Sequence, residues 1–481
     1  MWIAIGVVAF LGLLAIILVV RTFRFKPEAR LRPEPIDINL DEKRIIASLQ
    51  AMIRYKTISH LDKQKEDREA FASFREYLRT RYPLINARAR YEEIGETGVL
   101  FTLKGESNDK PIVLMSHYDV VPENGEWEHD PFSGMLIDDA IYGRGTLDTK
   151  GTLCSVMEAV EHWLAQKRPI NHDMYLAFSG DEETRGPSAN AIVEHLNKQG
   201  VKPYIVLDEG GAIVENVFPS VKKKAAMIGL AEKGYANVRL EAHSQGGHAA
   251  TPPKTTPIST LAEAVVRLNK GTLFKLKKTD ATMKMFDTIA RHATSFPVKM
   301  IFANLWLFWP LVRYMAKKSG GEMISLLHTT QAFTQMEGSE AINVLPTKAA
   351  LGVNYRILTN ETVEDVKDKV TQRINNDDVT VAVVKGADPT TISQTTASYD
   401  ALTDTIAQMW DGVVPVPYLM MMGTDSRYYH TISEHVYRFS PMALTKTDRA
   451  SIHSTEEKIK TSELIHCVKF YVALLHRLHM T

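Results

Sequence analysis

Residues 111–119 read PIVLMSHYD, an apolar run of the kind that forms a buried strand, followed directly by His117 and Asp119. Two similar runs, MYLAFS at 174–179 and PYIVLD at 203–208, occur further along the chain. Helical patterns lie around these runs, and short apolar runs separated by helices are typical of a buried parallel sheet. The sequence therefore predicts an α/β domain with a largely parallel central sheet flanked by helices.

A second kind of strand begins near residue 230, where apolar and polar residues alternate as they do in half-exposed strands. The runs are ANVRLEA at 236–242, KAALGVNYRI at 348–357 and VTVAVV at 379–384. With helical patterns between them, they predict the strand–helix–strand–strand–helix–strand order of a ferredoxin-like α+β domain. Because the catalytic motifs resume afterwards, we expect this domain, at 230–388, to be an insertion that divides the catalytic domain into segments 41–229 and 389–481.

The N-terminus carries an uncharged apolar run at residues 2–20, and about 20 such residues cross a bilayer core. We predict a single-pass membrane anchor, because a cleaved signal peptide would have basic residues before the run and a small-residue cleavage site after it. An extended linker is expected at 21–40. Its basic residues favour a cytoplasmic catalytic domain, although a large domain can translocate regardless of a few charges; they are Arg21, Arg24, Lys26, Arg30 and Arg32.

The composition argues against several classes of function. Among 481 residues, Lys plus Arg and Asp plus Glu number 57 each, so no general attraction to nucleic acid is expected. The sequence has no glycine-rich phosphate loop of the GxxxxGK type, which disfavours phosphate chemistry. Cys154 and Cys467 each lie in an apolar helical pattern, so we expect buried thiols and no disulfide.

Four segments place His, Asp or Glu after predicted strands or in glycine-rich turns, and a fifth, distant segment carries His453, which gains significance only from the others. In an open α/β sheet, ligands bind at the carboxyl ends of the strands. The two histidines and several carboxylates form the mixed nitrogen and oxygen ligand set expected for zinc. Each segment alone also has a structural interpretation, such as a helix cap or a solvated acidic loop, but their joint occurrence predicts a metal site. The segments are SHYD (116–119), GRGTLDTKG (143–151), SGDEETRG (179–186), DEGG (208–211) and SIHS (451–454).

These residues resemble the di-zinc metallopeptidase family that includes aminoacylases, carboxypeptidase G and carboxypeptidase S. SHYDVVP, GRGTLDTKG, DEETRG, LDEGG and GGHAATPP stand in the family's order, and the resemblance spans residues 40–481. It is nearest to the membrane-associated branch of carboxypeptidase S and the N-fatty-acyl amino acid hydrolases. The resemblance implies two Zn²⁺ ions, with Co²⁺ or Mn²⁺ as alternatives. Its implied ligands are the bridging Asp148, then His117 and Asp208 for one ion and Glu183 and His453 for the other.

The resemblance also implies catalytic roles for three residues. Glu182 would be the general base, Asp119 the partner of His117, and His248 a group that stabilises the oxyanion, in some members across a dimer interface. The inserted domain would be a lid or dimerisation domain, which implies a homodimer as one alternative. The implied substrate-binding positions are Asn343, Arg356, Gly423 and Arg427.

The predicted function is hydrolysis of N-acyl amino acids or small peptides whose free carboxylate binds Arg356 or Arg427. The apolar segment 296–315 is interpreted as lid core, as a subunit interface or as a wall for a long acyl chain that also touches the bilayer. Two other classes remain as alternatives: a catalytically silent metal-binding membrane protein, and a di-metal hydrolase of another bond type. Whether hydrolysis or condensation prevails stays open.

Overall fold

The computed structural model describes residues 1–28, 33–34 and 36–480. Some of the predicted linker, including Arg30 and Arg32, lies outside these residues. The predicted anchor and the first residues of the linker form one helix, α1 (Trp2–Arg24), whose most apolar window has a mean hydropathy of 3.2. By length and composition this helix can cross a membrane, and a signal sequence has the same properties.

The remaining elements follow in chain order. The helices are α2 (Glu42–Ile53), α3 (Arg68–Arg81), α4 (Pro83–Arg88), α5 (Lys150–Ala165), α6 (Ser188–Lys198), α7 (Pro257–Asn269), α8 (Asp280–Ala290), α9 (Phe296–Ala303), α10 (Leu305–Ser319), α11 (Gly321–Ser325), α12 (Val363–Ile374), α13 (Ala397–Met409), α14 (Lys446–Ser451) and α15 (Thr461–Met480). The strands are β1 (Arg90–Ile94), β2 (Gly98–Leu103), β3 (Ser107–His117), β4 (Leu136–Ile137), β5 (Ala140–Tyr142), β6 (His172–Ser179), β7 (Ile205–Asp208), β8 (Ile213–Val214), β9 (Ala225–Glu232), β10 (Gly234–His243), β11 (Gly247–His248), β12 (Thr330–Glu337), β13 (Val344–Leu345), β14 (Lys348–Ile357), β15 (Thr380–Ala387), β16 (Val414–Met420), β17 (Val436–Arg438) and β18 (Lys458–Lys460).

The central sheet has the order β1-β2-β6-β3-β7-β17-β9-β16, with β8 beside β9. Strands β6, β3, β7 and β17 are parallel neighbours, and β9 and β16 form a further parallel pair. The pairs β1–β2, β2–β6 and β17–β9 are antiparallel. Because only residues 95–97 join β1 to β2, this connection is too short for a parallel crossover. The predicted α/β fold is confirmed, with a mixed sheet whose centre is parallel.

The main core lies where α2, α5 and α15 pack against the central sheet. Helix α5 is buried along nearly its whole length because it lies between the sheet and the other helices. The sheet's opposite face is covered by α6 and by a 3-10 helix, Asp425–Thr431. Cys154 and Cys467 are both buried and unbridged, as predicted.

A second sheet has the order β12-β14-β10-β15, and each neighbouring pair is antiparallel. Helices α7 and α12 pack against it in a separate core. This order is that of a ferredoxin-like sheet. The chain passes directly from β9 of the central sheet to β10 of the second sheet through the buried residue Lys233. Helices α8 to α11 intervene between α7 and β12 and form their own apolar cluster against β9 and β16.

Candidate metal centre

Three parallel strands end at one edge of the central sheet and carry the predicted site residues. Strand β3 ends at His117, which pairs in register with Ser179, the last residue of β6. The next strand along, β7, ends at Asp208. The residues after β6 and β7 supply further carboxylates at the same edge. The position is the one expected for a ligand site in an open α/β sheet.

Asp148 connects two groups of potential metal ligands. Its Oδ1 lies 3.0 Å from Nε2 of His117, which is also 3.2 Å from Oε1 of Glu209. Its Oδ2 lies 3.0 Å from Nε2 of His453, which is 3.1 Å from Oε1 of Glu183. Within each group the ligand atoms lie within 4.8 Å of one another. A single carboxylate therefore contributes one oxygen to each of two candidate cation sites.

The structure brings Glu209, and not the neighbouring Asp208, to His117. Oδ2 of Asp208 accepts a hydrogen bond from the backbone N–H of Ser426 at 3.0 Å, so this side chain holds the 3-10 helix. Successive side chains of a strand point to opposite faces, so only one of two adjacent acids can face His117. The sequence shows both acids in LDEGG and does not by itself say which one faces the site.

Asp119 supports both His117 and the acidic loop. Its backbone oxygen lies 3.0 Å from Nδ1 of His117, and its Oδ1 is 3.3 Å from the same nitrogen. Its two carboxylate oxygens accept hydrogen bonds from the backbone N–H groups of Glu182 and Glu183, each at 3.1 Å. One buried side chain thus orients a histidine of one group and the loop that carries Glu183 of the other.

Glu457 holds the loop that carries Asp148, a role that the motifs did not indicate. Its carboxylate pairs with Nη1 of Arg144 at 2.9 Å, and both side chains are buried. It also accepts hydrogen bonds from the backbone N–H groups of Gly145, Leu147 and Asp148 at 3.1, 2.8 and 3.2 Å. The Asp148–Thr149 peptide bond is cis. The only sequence signal for Glu457 is its position four residues after His453.

Glycine is required within this loop at residue 145. Its φ of +91° is a conformation that L-residues rarely adopt, and an added Cβ would lie 2.8 Å from Cγ1 of Val120. His453 also has a left-handed backbone, with φ of +59°. Such a conformation at a non-glycine residue costs on the order of 1 kcal/mol and is found at functional sites. The contacts of His453 with the carboxylates of Asp148 and Glu183 offset this conformational cost.

The carboxylates are crowded enough to favour a positive charge between them. Burial raises the pKa of Glu209 to about 7. Burial also raises the pKa of Glu182 well above its usual range; the charges of Asp425, Glu209 and Glu183 add to this shift, and His117 opposes it. Hydrogen bonds to Asp148 and Glu183 raise the pKa of His453 to about 10. The nitrogen and oxygen donors fit divalent cations such as zinc.

Among the described residues, Glu182 is hydrogen-bonded through its backbone N–H, whereas its carboxylate makes no hydrogen bond. The backbone N–H donates to Asp119, and no hydrogen bond or ion pair joins the Glu182 carboxylate to another residue in the part of the chain that the structure describes. The side chain is half-buried beside both ligand groups. It is therefore available for proton transfer, whereas Glu183 is engaged with His453.

Of the predicted substrate-binding residues, Arg356 and Arg427 differ in their contacts. Arg356 lies on β14 opposite Tyr235, and Arg185 from the acidic loop stacks on Tyr235, with its guanidinium carbon 3.9 Å from the ring centre. Burial and the charge of Arg185 lower the pKa of Arg356. Arg427 donates to the backbone oxygen of Asp388 at 3.0 Å. An added Cβ at Gly423 would lie 3.2 Å from Nη1 of Arg427.

His248 lies on β11, which pairs with β13, and Asn343 directly precedes β13. Both residues are exposed, and the backbone oxygen of Asn343 accepts a hydrogen bond from Ala249 at 3.0 Å. Nδ1 of His248 accepts one from the backbone N–H of Ala250 at 3.1 Å. Within residues 1–28, 33–34 and 36–480, no hydrogen bond or ion pair connects either side chain to the metal-ligand groups.

The fold and this centre are those of a metallopeptidase. The family described as Peptidase family M20/M25/M40 matches residues 113–477. The chain belongs to this family and is an amide-bond hydrolase of the peptidase and aminoacylase type. The family predicted from the ordered motifs is confirmed.

Two related proteins align with nearly the whole length of this chain. The chain is 32% identical over 478 residues to Probable carboxypeptidase S-like 2 of Dictyostelium discoideum, covering 96% of this chain and 91% of that protein. It is 33% identical over 492 residues to the N-fatty-acyl-amino acid synthase/hydrolase PM20D1 of Xenopus tropicalis, covering 98% and 96%. Its fold is similar to that of an M20 family metallo-carboxypeptidase of Sulfolobus solfataricus, with a TM-score of 0.67, 16% identity and coverage of 91% and 99%.

Proposed function

We propose that this protein hydrolyses N-acyl amino acids or short peptides with a free carboxylate. It would use two divalent cations, and Zn²⁺ is the cation we favour. The observation that carries the proposal is the shared carboxylate of Asp148, whose two oxygens face two different histidine–carboxylate groups. One ion would bind Asp148, His117 and Glu209, and the other Asp148, His453 and Glu183. In this proposal Glu209 is the ligand in place of Asp208, the residue that the family resemblance implies.

The chemistry is divided between the cations and Glu182. Two divalent cations bound here would lower the pKa of a water molecule and polarise the amide carbonyl. The Glu182 carboxylate accepts the proton of that water as its oxygen attacks the carbonyl carbon. It then returns the proton to the departing nitrogen as the C–N bond breaks. Burial raises the pKa of Glu182 and so favours the protonated form that the second step needs.

The free carboxylate of the substrate is assigned to Arg356 in preference to Arg427. Arg427 is engaged by the backbone of Asp388 and lies 4.0 Å from Glu232. Arg356 is half-buried, and among the described residues no carboxylate pairs with it. Arg185 on the loop 179–186 is a second cation close enough to lower the pKa of Arg356. Two cations without an acidic partner favour an anionic ligand.

His248, as the proposed oxyanion donor, needs a movement of the second sheet or a second copy of the chain. Its only polar contact among the described residues is local. A homodimer formed through the inserted domain remains our proposal on this ground. A catalytically silent protein is disfavoured, because Glu182 and a complete ligand set stand together.

We also propose that α1 is retained as a single-pass anchor. Thr22 is buried, and Arg21 donates from Nε to Oδ1 of Asn304 at 3.1 Å and from Nη2 to the backbone oxygen of Ala303 at 3.2 Å. Removing α1 would take the Arg21 donor away from Oδ1 of Asn304, a residue with no exposed surface. An unsatisfied buried polar group costs about 1–3 kcal/mol.

The substrate class is tested by the release of free amino acid from a panel of long-chain N-acyl amino acids, short-chain N-acyl amino acids and dipeptides. The zinc-loaded protein is compared with the same protein after chelation. Turnover of long-chain N-acyl amino acids that disappears on chelation supports an acylase. Turnover of dipeptides alone would assign a carboxypeptidase or dipeptidase, and no turnover of any substrate would contradict the proposal.

A further inference from the structure

Helix α1 is joined to the folded body along one stripe near its C-terminal end. Leu14 and Leu18 are half-buried, and Thr22 and Phe25 are buried, whereas the rest of α1 is exposed. Nδ2 of Asn304 donates to the backbone oxygens of Leu18 and Met300, at 3.3 and 2.9 Å. The junction of α9 and α10 is thus bonded to the last turns of α1.

This junction lies at the level where α1 would leave a bilayer. About 20 helical residues cross the ~30 Å apolar layer, and counted from Trp2 they end at Arg21. The contacts of Arg21 with Ala303 and Asn304 therefore put the end of α9 and the start of α10 at the boundary between acyl chains and headgroups. The ring centres of Phe23 and Phe296 lie 5.7 Å apart at the same end of α1.

Helix α10 is apolar on its outward face as well as on its inward face. Val312 and Ala316 are buried against the protein. The opposite stripe is exposed although every side chain in it is apolar or aromatic, with Trp306 54% and Tyr314 64% exposed. The stripe consists of Trp306, Leu307, Pro310, Leu311, Tyr314 and Met315. An apolar outer face on a helix is costly in water and favourable in an apolar medium.

The charge of this segment suits an anionic lipid surface. Residues 288–321 contain no Asp or Glu. Lys317 and Lys318 follow the apolar stripe directly, at the end of α10. Aromatic residues and lysines at this level are typical of helices that lie in a membrane interface.

We propose that α9 and α10 lie in the headgroup region of the bilayer that α1 spans, with the stripe from Trp306 to Met315 embedded among the acyl chains. The inference rests on the proposal that α1 is retained. Bilayer lipid is the occupant, and the catalytic domain is thereby held against the membrane surface by a second contact. Amphiphilic substrates dissolved in the bilayer would then enter from the surface on which the enzyme rests.

The test uses the full-length protein in vesicles of phosphatidylcholine with a minority of phosphatidylserine. A variant with one added cysteine, Leu311→Cys, carries an environment-sensitive fluorophore, and Val384→Cys on β15, 68% exposed, is the matched control. The native thiols are buried, so the label goes to the new site. We expect a blue-shifted emission at position 311, with quenching by lipid-attached nitroxide and protection from aqueous iodide. At position 384 we expect no blue shift, no quenching by the nitroxide and full quenching by iodide.

Four results would overturn the proposal. The first is iodide quenching at position 311 equal to that at position 384. The second is a blue shift that grows with protein concentration and occurs without lipid, which would make the stripe an interface between copies. The third is a change of emission only when a long-chain substrate is added, which would make it an acyl site. The fourth is a mature N-terminus beyond α1, read by mass spectrometry. Tyr314→Cys provides a second position if Leu311→Cys does not fold.

Discussion

The carboxylate of Glu457 accepts a hydrogen bond from the backbone N–H of Asp148, with the nitrogen and oxygen 3.2 Å apart. Asp148 is the residue shared by both ligand groups, and Glu457 comes from the loop that also carries His453. The C-terminal region of the chain therefore contributes one ligand and also fixes the position of the central one.

Replacing Glu457 with Gln should destabilise the protein and weaken metal binding together. The variant leaves Arg144 as a buried charge without a partner, which typically costs about 3–5 kcal/mol. Chemical denaturation and zinc titration would measure the two effects. The neighbouring Glu456→Gln is the control, because Glu456 is partly exposed and pairs with His129 outside the centre. Equal effects of the two substitutions would contradict the positioning role.

The variants Glu209→Gln and Asp208→Asn should separate a ligand from a structural acid. We expect Glu209→Gln to bind one metal ion fewer than the parent protein, measured by atomic emission after dialysis. Asp208→Asn should keep both ions and lose about 1.5–3 kcal/mol of stability, the usual range for a hydrogen bond to a charged group. The opposite pattern would return the ligand role to Asp208.

Glu182→Gln should keep both metal ions and lose activity. General acid–base catalysis typically contributes about 10²- to 10⁴-fold, so kcat should fall by at least about 100-fold on whichever substrate the parent protein hydrolyses. The control is Glu340→Gln, because Glu340 is exposed and lies in the loop between β12 and β13. Near-parental activity of Glu182→Gln would refute its assignment as the base.

Arg356→Ala should reduce kcat/KM for substrates with a free carboxylate by about 10- to 100-fold, as expected for a lost charge-assisted hydrogen bond of about 1.5–3 kcal/mol. The same variant should have little effect on substrates whose carboxylate is amidated. Arg427→Ala is the comparison, since its guanidinium is already bound by the backbone of Asp388. If Arg427→Ala alone removes the preference for free carboxylates, the assignment of Arg356 is wrong.

After chelation, the contribution of Glu209 and His453 to the stability of the protein should fall as the pH rises. The pKa of Glu209 is raised to about 7 and that of His453 to about 10, whereas unfolded values are about 4.3 and about 6.5. These two groups therefore bind more protons in the folded state than in the unfolded state between about pH 5 and about pH 9, and their contribution to stability decreases through that window. Thermal unfolding at several pH values measures this trend.

The zinc-loaded protein provides the control for this pH dependence. Metal binding competes with protons for the same ligands and becomes stronger as the pH rises. The midpoint of unfolding should then stay level or increase over the same range. If the stability of the chelated protein, relative to that of the zinc-loaded protein, increases with rising pH, the charge balance deduced for the centre is wrong.

The sequence by itself determined the family and the α/β fold, and it predicted His117, Asp148, Glu183 and His453, which the structure brings together. Apolar runs that end in His117, Ser179 and Asp208 are local signals, because a buried parallel strand is apolar throughout and its carboxyl end is where ligands bind. The ferredoxin-like succession of strands and helices was also predicted, from the alternating runs and the helical patterns between them. These features depend on neighbours along the chain, which a sequence displays.

Only the tertiary structure decided between residues that look alike in sequence. Asp208 and Glu209 are adjacent acids, and the pleat of the strand decides which one faces His117. Glu457 reaches the Asp148 loop across more than 300 positions of sequence, and Arg356 is distinguished from Arg427 by the partners that the fold supplies. The apolar stripe of α10 faces outward because Val312 and Ala316, on the opposite side of the helix, are buried. Long-range packing sets each of these choices, so no local pattern records them.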